Sequence, residues 1–377
     1  MAASAVFLDA ASGAPLHPVA REAMLAAQAD GWADPGRLYG AGRRSALLLE
    51  AARETVAQCI GARPDEVSFT ANGTSALHAA TLGTVTANRR RGVALVHSAV
   101  EHSAVLHAAR WHAEHGGIAL PIGVDSLGRV DVDALVEAAA TAGAVALQAA
   151  NHEVGTRQPL AAVAERIDAP LVVDATHVLG HDDIPTGWSV LAGDARMWGG
   201  PPVGVLTVRT GTRWTSVLPE DEREHGRAPG VPDVISIVAA AAALRAVNAD
   251  RVIEAERTSA LVDLIRDRVA ATIPDTEILG DPADRLPHIV TFSCLYVDGE
   301  ALLTELDKRG FAVNSGSSCT ASALEPSHVL VAMGALTSGN VRVSLHPGVT
   351  SDEVDAFLSV LPGVVADVRA DLGADGL

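Results

Sequence analysis

Lysine is almost missing from this chain: Lys308 is the only one in 377 residues. Arginine supplies nearly all the positive charge, which is typical of codon bias in a high-GC genome. The net charge is −18, from 28 basic and 46 acidic residues. So acidic a chain lacks the basic patch that binding to nucleic acid or to an anionic membrane requires, and we expect neither partner.

Long apolar runs are absent too. No stretch of about 18 apolar residues occurs, so we expect no membrane-spanning helix. The start, MAASAVFLDAASG, has no basic segment followed by an apolar one, so we expect no signal peptide. The three cysteines, Cys59, Cys294 and Cys319, are widely spaced and odd in number, which indicates neither a disulfide framework nor a zinc site. These absences favour a protein of the reducing cytoplasm that holds no metal ion.

Apolar residues, by contrast, are abundant, at 48% of the chain. In the first two thirds, short apolar runs alternate with helical patterns, as in a parallel sheet covered by helices. An Ala-rich helix is predicted over Val238–Val247 and a separate amphipathic helix over Arg251–Ala271, followed by mixed strands and helices. We therefore predict an α/β fold: a large α/β domain with a mostly parallel sheet over residues 15–245, and a small α+β domain over residues 1–14 and 246–377.

Polar residues at strand ends are candidates for a ligand site, because ligands of such sheets bind at the carboxyl ends of the strands. Thr74 lies at the start of a helix, where backbone N–H groups suit a phosphate. His102 can stack on a ring or act as an acid or base near neutral pH. Asp174 ends an apolar strand and needs a partner, such as a protonated pyridine nitrogen. Cys319 lies in a Gly/Ser segment and is a candidate nucleophile. Taken singly, each is also typical of a structural cap, a structural histidine or an incidental thiol.

Together these segments resemble the cysteine desulfurases of the class V aminotransferase family, in the fold-type I PLP (pyridoxal phosphate) superfamily. The resemblance covers nearly the whole chain. It begins at FLDAAS (7–12), passes through NHEVGT (151–156) and DATH (174–177), and is densest from GSSCT (316–320) to NVRVSL (340–345). It implies a fold-type I PLP-transferase-like large domain beside the small α+β domain. It also implies a dimer with sites at the subunit interface.

The resemblance also implies roles for the polar residues of the large domain. Thr74 and the amides of its loop would hold the phosphate of PLP. His102 would stack on the pyridine ring, and Asp174 would pair with the ring nitrogen. His177 stands where the family has Gln, near the phenolic oxygen, and His152 stands where many members have Asn.

Two further roles concern the substrate. Arg342 would grip the substrate carboxylate in a bidentate pair. Cys319 would attack the sulfur of the bound cysteine adduct and carry it as a persulfide. The candidate catalytic residues are therefore Cys319 and, as an acid or base, His102.

The Schiff-base lysine of the family has no counterpart. An ungapped match places Arg196 at its position, with Gly193 and Ala195 in place of the neighbouring Ser and His. A gapped match places Met197 there, with Asp194 and Arg196 as the neighbours, and Asp194 would then repel the phosphate dianion by roughly a few kcal/mol. Neither Arg nor Met forms an imine. Lys308 lies at the polar end of a helix in the small domain. Since losing an acid–base group alone typically costs ~10²–10⁴-fold, we expect conventional PLP-dependent desulfuration to be impaired or absent, with PLP non-covalent at best.

Three functions stay open at this point. The first is a cysteine desulfurase-like enzyme of sulfur metabolism, a transferase that acts on a cysteine-like molecule, impaired or inactive, with a base such as His102. The second is a non-catalytic sulfur relay, or a partner subunit of an active desulfurase, in which Cys319 receives sulfur from a donor protein. The third is a repurposed pocket in which Arg342 holds a different carboxylate ligand. A homodimer is expected, or a heterodimer with an active paralogue.

Overall fold

A seven-stranded sheet lies at the centre of the larger part of the computed structural model, which describes residues 5–219, 221–316, 326–371 and 373. Its strands are β2 (Val67–Thr70), β3 (Ala94–Ser98), β4 (Ile118–Ile122), β5 (Ala142–Gln148), β6 (Leu171–Asp174), β7 (Val190–Asp194) and β8 (Gly204–Val208). Their order in the sheet is β2-β8-β7-β6-β5-β3-β4. Strands β3 to β7 are parallel, and β8 runs antiparallel to both β2 and β7. The mostly parallel sheet predicted from the sequence is therefore present.

Helices cover both faces of this sheet. They are α1 (Pro18–Ala27), α2 (Gly40–Ile60), α3 (Gly73–Ala87), α4 (Ser103–Glu114), α5 (Val132–Ala139) and α6 (Leu160–Ala164). Alternate residues of one strand pack on opposite sides: Val145 and Leu147 of β5 lie in the cluster with α2, whereas Ala144 and Ala146 lie in the cluster with α3 and α4. A strand buried on both faces reads as a continuous apolar run, which is why these strands were predictable.

The remaining elements surround a second, smaller core. Strands β9 (Thr276–Ile278), β10 (Ile289–Cys294) and β12 (Asn340–Ser344) form an antiparallel sheet in the order β12-β10-β9, and β1 (Val6–Phe7) pairs in parallel with β11 (Phe311–Ala312). The helices are α8 (Gly299–Lys308), α9 (His328–Met333) and α10 (Ser351–Asp371). Phe292 of β10 and Phe357 of α10 are fully buried in this core. Among the described residues, no helix has the length and apolar character needed to cross a bilayer.

The longest helix, α7 (Val234–Thr272, 39 residues), corrects one prediction. The sequence favoured two helices, over Val238–Val247 and Arg251–Ala271, but the chain stays helical throughout, because Asn248 to Asp250 contain neither Gly nor Pro. The first half of α7 packs in the core of the large sheet, and its second half, including Ile265, packs in the small core. The helix thus runs through the boundary placed at residue 245, and the division into two domains stays a prediction.

Candidate functional site

A cavity of about 230 Å³ lies at the carboxyl edge of the large sheet and is closed by residues of the smaller core. Seven of the candidate residues line it: Thr74, His102, His152, His177, Arg196, Met197 and Arg342. Asp174 lies next to it at the end of β6, where its Oδ1 accepts the Thr176 N–H at 2.9 Å. Cys319 lies outside the described residues. The roles suggested for these residues stay predictions.

The parallel strands explain why these side chains meet. β3, β5, β6 and β7 all run in one direction, so the residues after them emerge at the same edge. His102 is the N-cap of α4, where its Nδ1 accepts the Ala104 N–H at 3.2 Å. His152 follows β5, and Asp194 is the last residue of β7.

Asp194 has the most connected side chain of the cavity. Its Oδ2 accepts the N–H of Gly73, the first residue of α3, at 3.2 Å. Its Oδ1 accepts the backbone N–H of Arg196 at 3.0 Å, and Nη2 of the Arg196 guanidinium donates to Oδ2 at 3.0 Å. The hydrogen bond to Asp194 raises the pKa of Arg196. Arg196 is therefore committed to Asp194.

Burial favours the neutral form of two histidine rings in the cavity wall. Burial is the main reason that the pKa of His152 and of His177 lies well below 6.5. The His152 ring centroid is 5.2 Å from that of His102 and 6.1 Å from that of His177. Neither ring nitrogen of His152 has a hydrogen-bond partner within the described part of the chain. Within that same part, no group of three His, Cys, Asp or Glu side chains is arranged to hold a metal ion.

The buried acids near the cavity hold their protons more tightly than exposed ones. Burial raises the pKa of Asp174, although the nearby His102 acts in the opposite direction. Glu101 is fully buried, and burial raises its pKa well above 4.5. Its Oε1 accepts the Gln148 N–H at 2.9 Å, whereas Oε2 has no partner in the described ranges. Burial therefore favours the neutral form of Glu101, which adds no negative charge beside Asp174.

Arg342, on β12, is already engaged. Its Nη2 donates to Oδ1 of Asp9 and to Oγ of Ser12, both at 2.8 Å, and its Nη1 donates to the carbonyl oxygen of His152 at 3.0 Å. Only Nε lacks a partner among the described residues. A substrate carboxylate bound by both terminal nitrogens of Arg342 would have to displace Asp9 or Ser12 from Nη2. Asp9 and Ser12 lie in the similar segment FLDAAS, but the resemblance assigned no role to either.

Gly316 and Pro326 are the described residues on either side of the segment that carries Cys319. Gly316, directly before the segment, lines the cavity. On the far side, Ser327 donates its Oγ hydrogen to Oε2 of Glu153 at 2.6 Å. Burial raises the pKa of Glu153. Glu153 also carried no role in the sequence analysis, although it lies in the similar segment NHEVGT.

Comparisons with known proteins agree with this architecture. Residues 6–357 match the family model described as aminotransferase class-V. The chain is 39% identical over 398 residues to an IscS-like cysteine desulfurase of Mycobacterium tuberculosis, covering 98% of this chain and 99% of that protein. It is 32% identical over 375 residues to a cysteine desulfurase of Dictyoglomus turgidum, covering 97% and 95%.

Solved structures show the same fold. A NifS-like protein aligns over 96% of this chain and 100% of its own with a TM-score of 0.87 at 24% identity. An apo cysteine desulfurase of Thermococcus onnurineus aligns over 96% and 94% with a TM-score of 0.82 at 22% identity. The predicted fold-type I architecture is thereby confirmed. Together with the sequence matches over nearly its full length, this shows that the chain belongs to the class V aminotransferase family, as a cysteine desulfurase-like member.

Proposed function

We propose that this chain is a desulfurase-like protein of sulfur metabolism that does not carry out conventional PLP-dependent desulfuration. The observation that carries this proposal is the place of the only lysine. Lys308 does not line the cavity; it is exposed at the end of α8, where its Nζ donates to Glu305 at 2.6 Å. Covalent capture of an aldehyde needs an amine, and neither Arg196 nor Met197 supplies one.

The fit of the family cofactor PLP differs between its two ends. The carboxyl group of Asp174 and the imidazole of His102 suit the ring, since one can pair with a ring nitrogen and the other can stack. The phosphate end does not fit, because the carboxylate of Asp194 already accepts the first N–H of α3. Taken as a whole, the residues present do not fit PLP.

Sulfide release tests this proposal directly. Purified protein is incubated with cysteine and excess PLP, beside a PLP-only blank and an active cysteine desulfurase as the positive control. We expect sulfide no faster than the blank. Catalytic sulfide release by this chain, above the blank and proportional to protein concentration, would sink the proposal.

A sulfur-relay role is the second candidate, and the cysteine kept in the GSSCT segment favours it. Gly316, three positions before Cys319 in the sequence, lines the cavity. In the relay, the Cys319 thiolate attacks the outer sulfur of a persulfide donor R–S–SH. A Cys319–sulfur bond forms, the donor S–S bond breaks, and R–S⁻ leaves, so no other oxidant is needed.

Mass spectrometry after incubation with an active desulfurase and cysteine tests the relay. We expect Cys319 to gain the mass of one sulfur atom, and Cys319→Ser to remove that gain. Cys59 and Cys294 are internal controls, because burial raises the pKa of both thiols and keeps them protonated. Equal labelling of Cys59, or no labelling of Cys319, would contradict a relay. Light scattering of the chain alone and mixed with the active enzyme distinguishes a homodimer from a heterodimer.

A further inference from the structure

At the N-terminus of α3 this chain carries a carboxylate, whereas a phosphate-binding site leaves that position open for the phosphate. A helix N-terminus presents free N–H groups and the positive end of the helix dipole, and both attract an anion. Here the anion comes from the chain itself. The Asp194 side chain is only 5% exposed, and its Oδ2 accepts the Gly73 N–H at 3.2 Å. The Ser75 N–H is used as well, by Oδ1 of the N-cap Asn72 at 2.9 Å.

Arg196 fixes the Asp194 carboxylate in this position. Its Nη2 and Nε donate to the carboxylate at 3.0 and 3.2 Å, beside the bond from its own backbone N–H. The Arg196 side chain is 46% exposed, so the ion pair holds it more than packing does. The positive charge of the Arg196 guanidinium is therefore already balanced by Asp194, so it offers little attraction to a second anion.

The Asp194 side chain also fills the space at the start of α3. A Cβ built on Gly73 would lie 2.4 Å from Cβ of Asp194 and 2.6 Å from its Oδ2. Glycine is thus required at position 73 because the Asp194 side chain lies directly against the first turn. A phosphate could approach the Gly73 N–H only if Asp194 moved away.

We propose that Asp194 is a resident anion that excludes phosphate-bearing ligands, so that this cavity takes small phosphate-free polar molecules. The inference extends the proposed function: a cavity that lacks a lysine could still hold a phosphate ester without a covalent bond, whereas one with a resident anion rejects it.

Calorimetric titration with inorganic phosphate, and separately with PLP, tests the inference on the purified full chain. The wild type should bind either anion only weakly, with a dissociation constant that serves as the reference for the variants. Asp194→Ala should bind phosphate about 5- to 30-fold more tightly than the wild type, the gain typical of an anion at a partly buried helix N-terminus. Asp194→Asn keeps the shape and the acceptor for Gly73, so it should gain less. It also tests the charge alone if the Ala variant does not fold by circular dichroism.

Two further variants locate the effect. Asp298→Ala removes the N-cap carboxylate of α8, which accepts the Ala301 N–H at 2.8 Å, so it changes the net charge equally and should leave phosphate affinity at the wild-type level. The double variant Asp194→Ala/Arg196→Ala should keep at least part of the gain. A gain that vanishes in the double variant would assign the anion to the freed Arg196 and overturn the inference.

Failure of this inference can be told apart from failure of the proposed function. Phosphate binding by the wild type as tight as by the Asp194 variants overturns the inference, even when no sulfide is released. Catalytic sulfide release by the wild type with PLP overturns the proposed function. Absence of phosphate binding in every variant shows that Asp194 is not the barrier, and also refutes the inference.

Discussion

Introducing a lysine into the cavity tests which residue stands at the lysine position of the family, and whether Asp194 also prevents capture of PLP. Arg196→Lys alone would place an ammonium beside the carboxylate of Asp194, where Nη2 of Arg196 now lies at 3.0 Å. A carboxylate partner stabilises the ammonium, and a protonated amine does not attack an aldehyde. We therefore expect little covalent PLP adduct from Arg196→Lys, and a clear adduct from Asp194→Ala/Arg196→Lys.

The size of the difference follows from the position of Asp194. A phosphate on the Gly73 N–H would come within about 4 Å of the carboxylate, and two unit charges at that distance repel by about 4 kcal/mol at an effective dielectric constant near 20. Because residue 196 is nearly half exposed, water and salt screen part of this repulsion. We expect the double variant to capture PLP with at least about thirtyfold higher affinity, which corresponds to about 2 kcal/mol.

Borohydride trapping followed by mass spectrometry measures the adduct at a series of PLP concentrations. Asp194→Ala/Met197→Lys is the matched control for the alternative alignment, since Met197 also lines the cavity. Equal trapping by the single and double Arg196 variants would refute the argument about Asp194. An adduct only with Met197→Lys would show that Met197, and not Arg196, stands at the lysine position.

Three predictions concern stability, each measured by urea unfolding. Glu224→Ala should lower the free energy of unfolding by about 3–5 kcal/mol, because the Glu224 carboxylate lies 2.8 and 2.9 Å from the buried guanidinium of Arg53 and is its buried counter-charge. A loss no larger than that of an exposed ion pair would contradict this. Gly73→Ala should cost about 1–3 kcal/mol through its clash with Asp194, and less in an Asp194→Gly background; an equal cost in both backgrounds would exclude that clash. Burial lowers the pKa of His288 in the folded protein well below 6.5. The unfolded chain therefore takes up a proton at His288 first as the pH falls below 6.5, and the folded state loses stability over that range. His288→Asn should therefore flatten the dependence of stability on pH below 6.5 by up to about 1.4 kcal/mol per pH unit, and an unchanged slope would refute it.

The sequence predicted the sheet because its strands are short and buried on both faces. The apolar run Leu171–Val173, for example, makes up all of β6 except its last residue, Asp174. The interruption predicted after Val247 was wrong, because polar residues such as Asn248 lower helix propensity without ending a helix that packs along both of its halves.

The cavity was less predictable than the fold. Residues at or shortly after the ends of parallel strands, such as Asp174 and His102, could be grouped from the sequence because such strand ends share an edge. The contact between Asp194 and Gly73 joins residues 121 positions apart, and the contact between Arg342 and Asp9 joins residues 333 apart. No local pattern reports such pairings. The gapped match did place Asp194 at the serine of the family, facing the phosphate, but it gave no indication of the contact with Gly73.

The unbroken course of α7 has a mechanical consequence. At 1.5 Å per residue, 39 residues form a rod about 58 Å long, anchored at one end in each core. It contains no Gly or Pro, the residues at which long helices usually bend. Swinging one half of the molecule away from the other would have to bend this rod. Ligand traffic into the cavity should therefore depend on local rearrangement of the segments around its mouth, with the distance between the two cores held nearly constant.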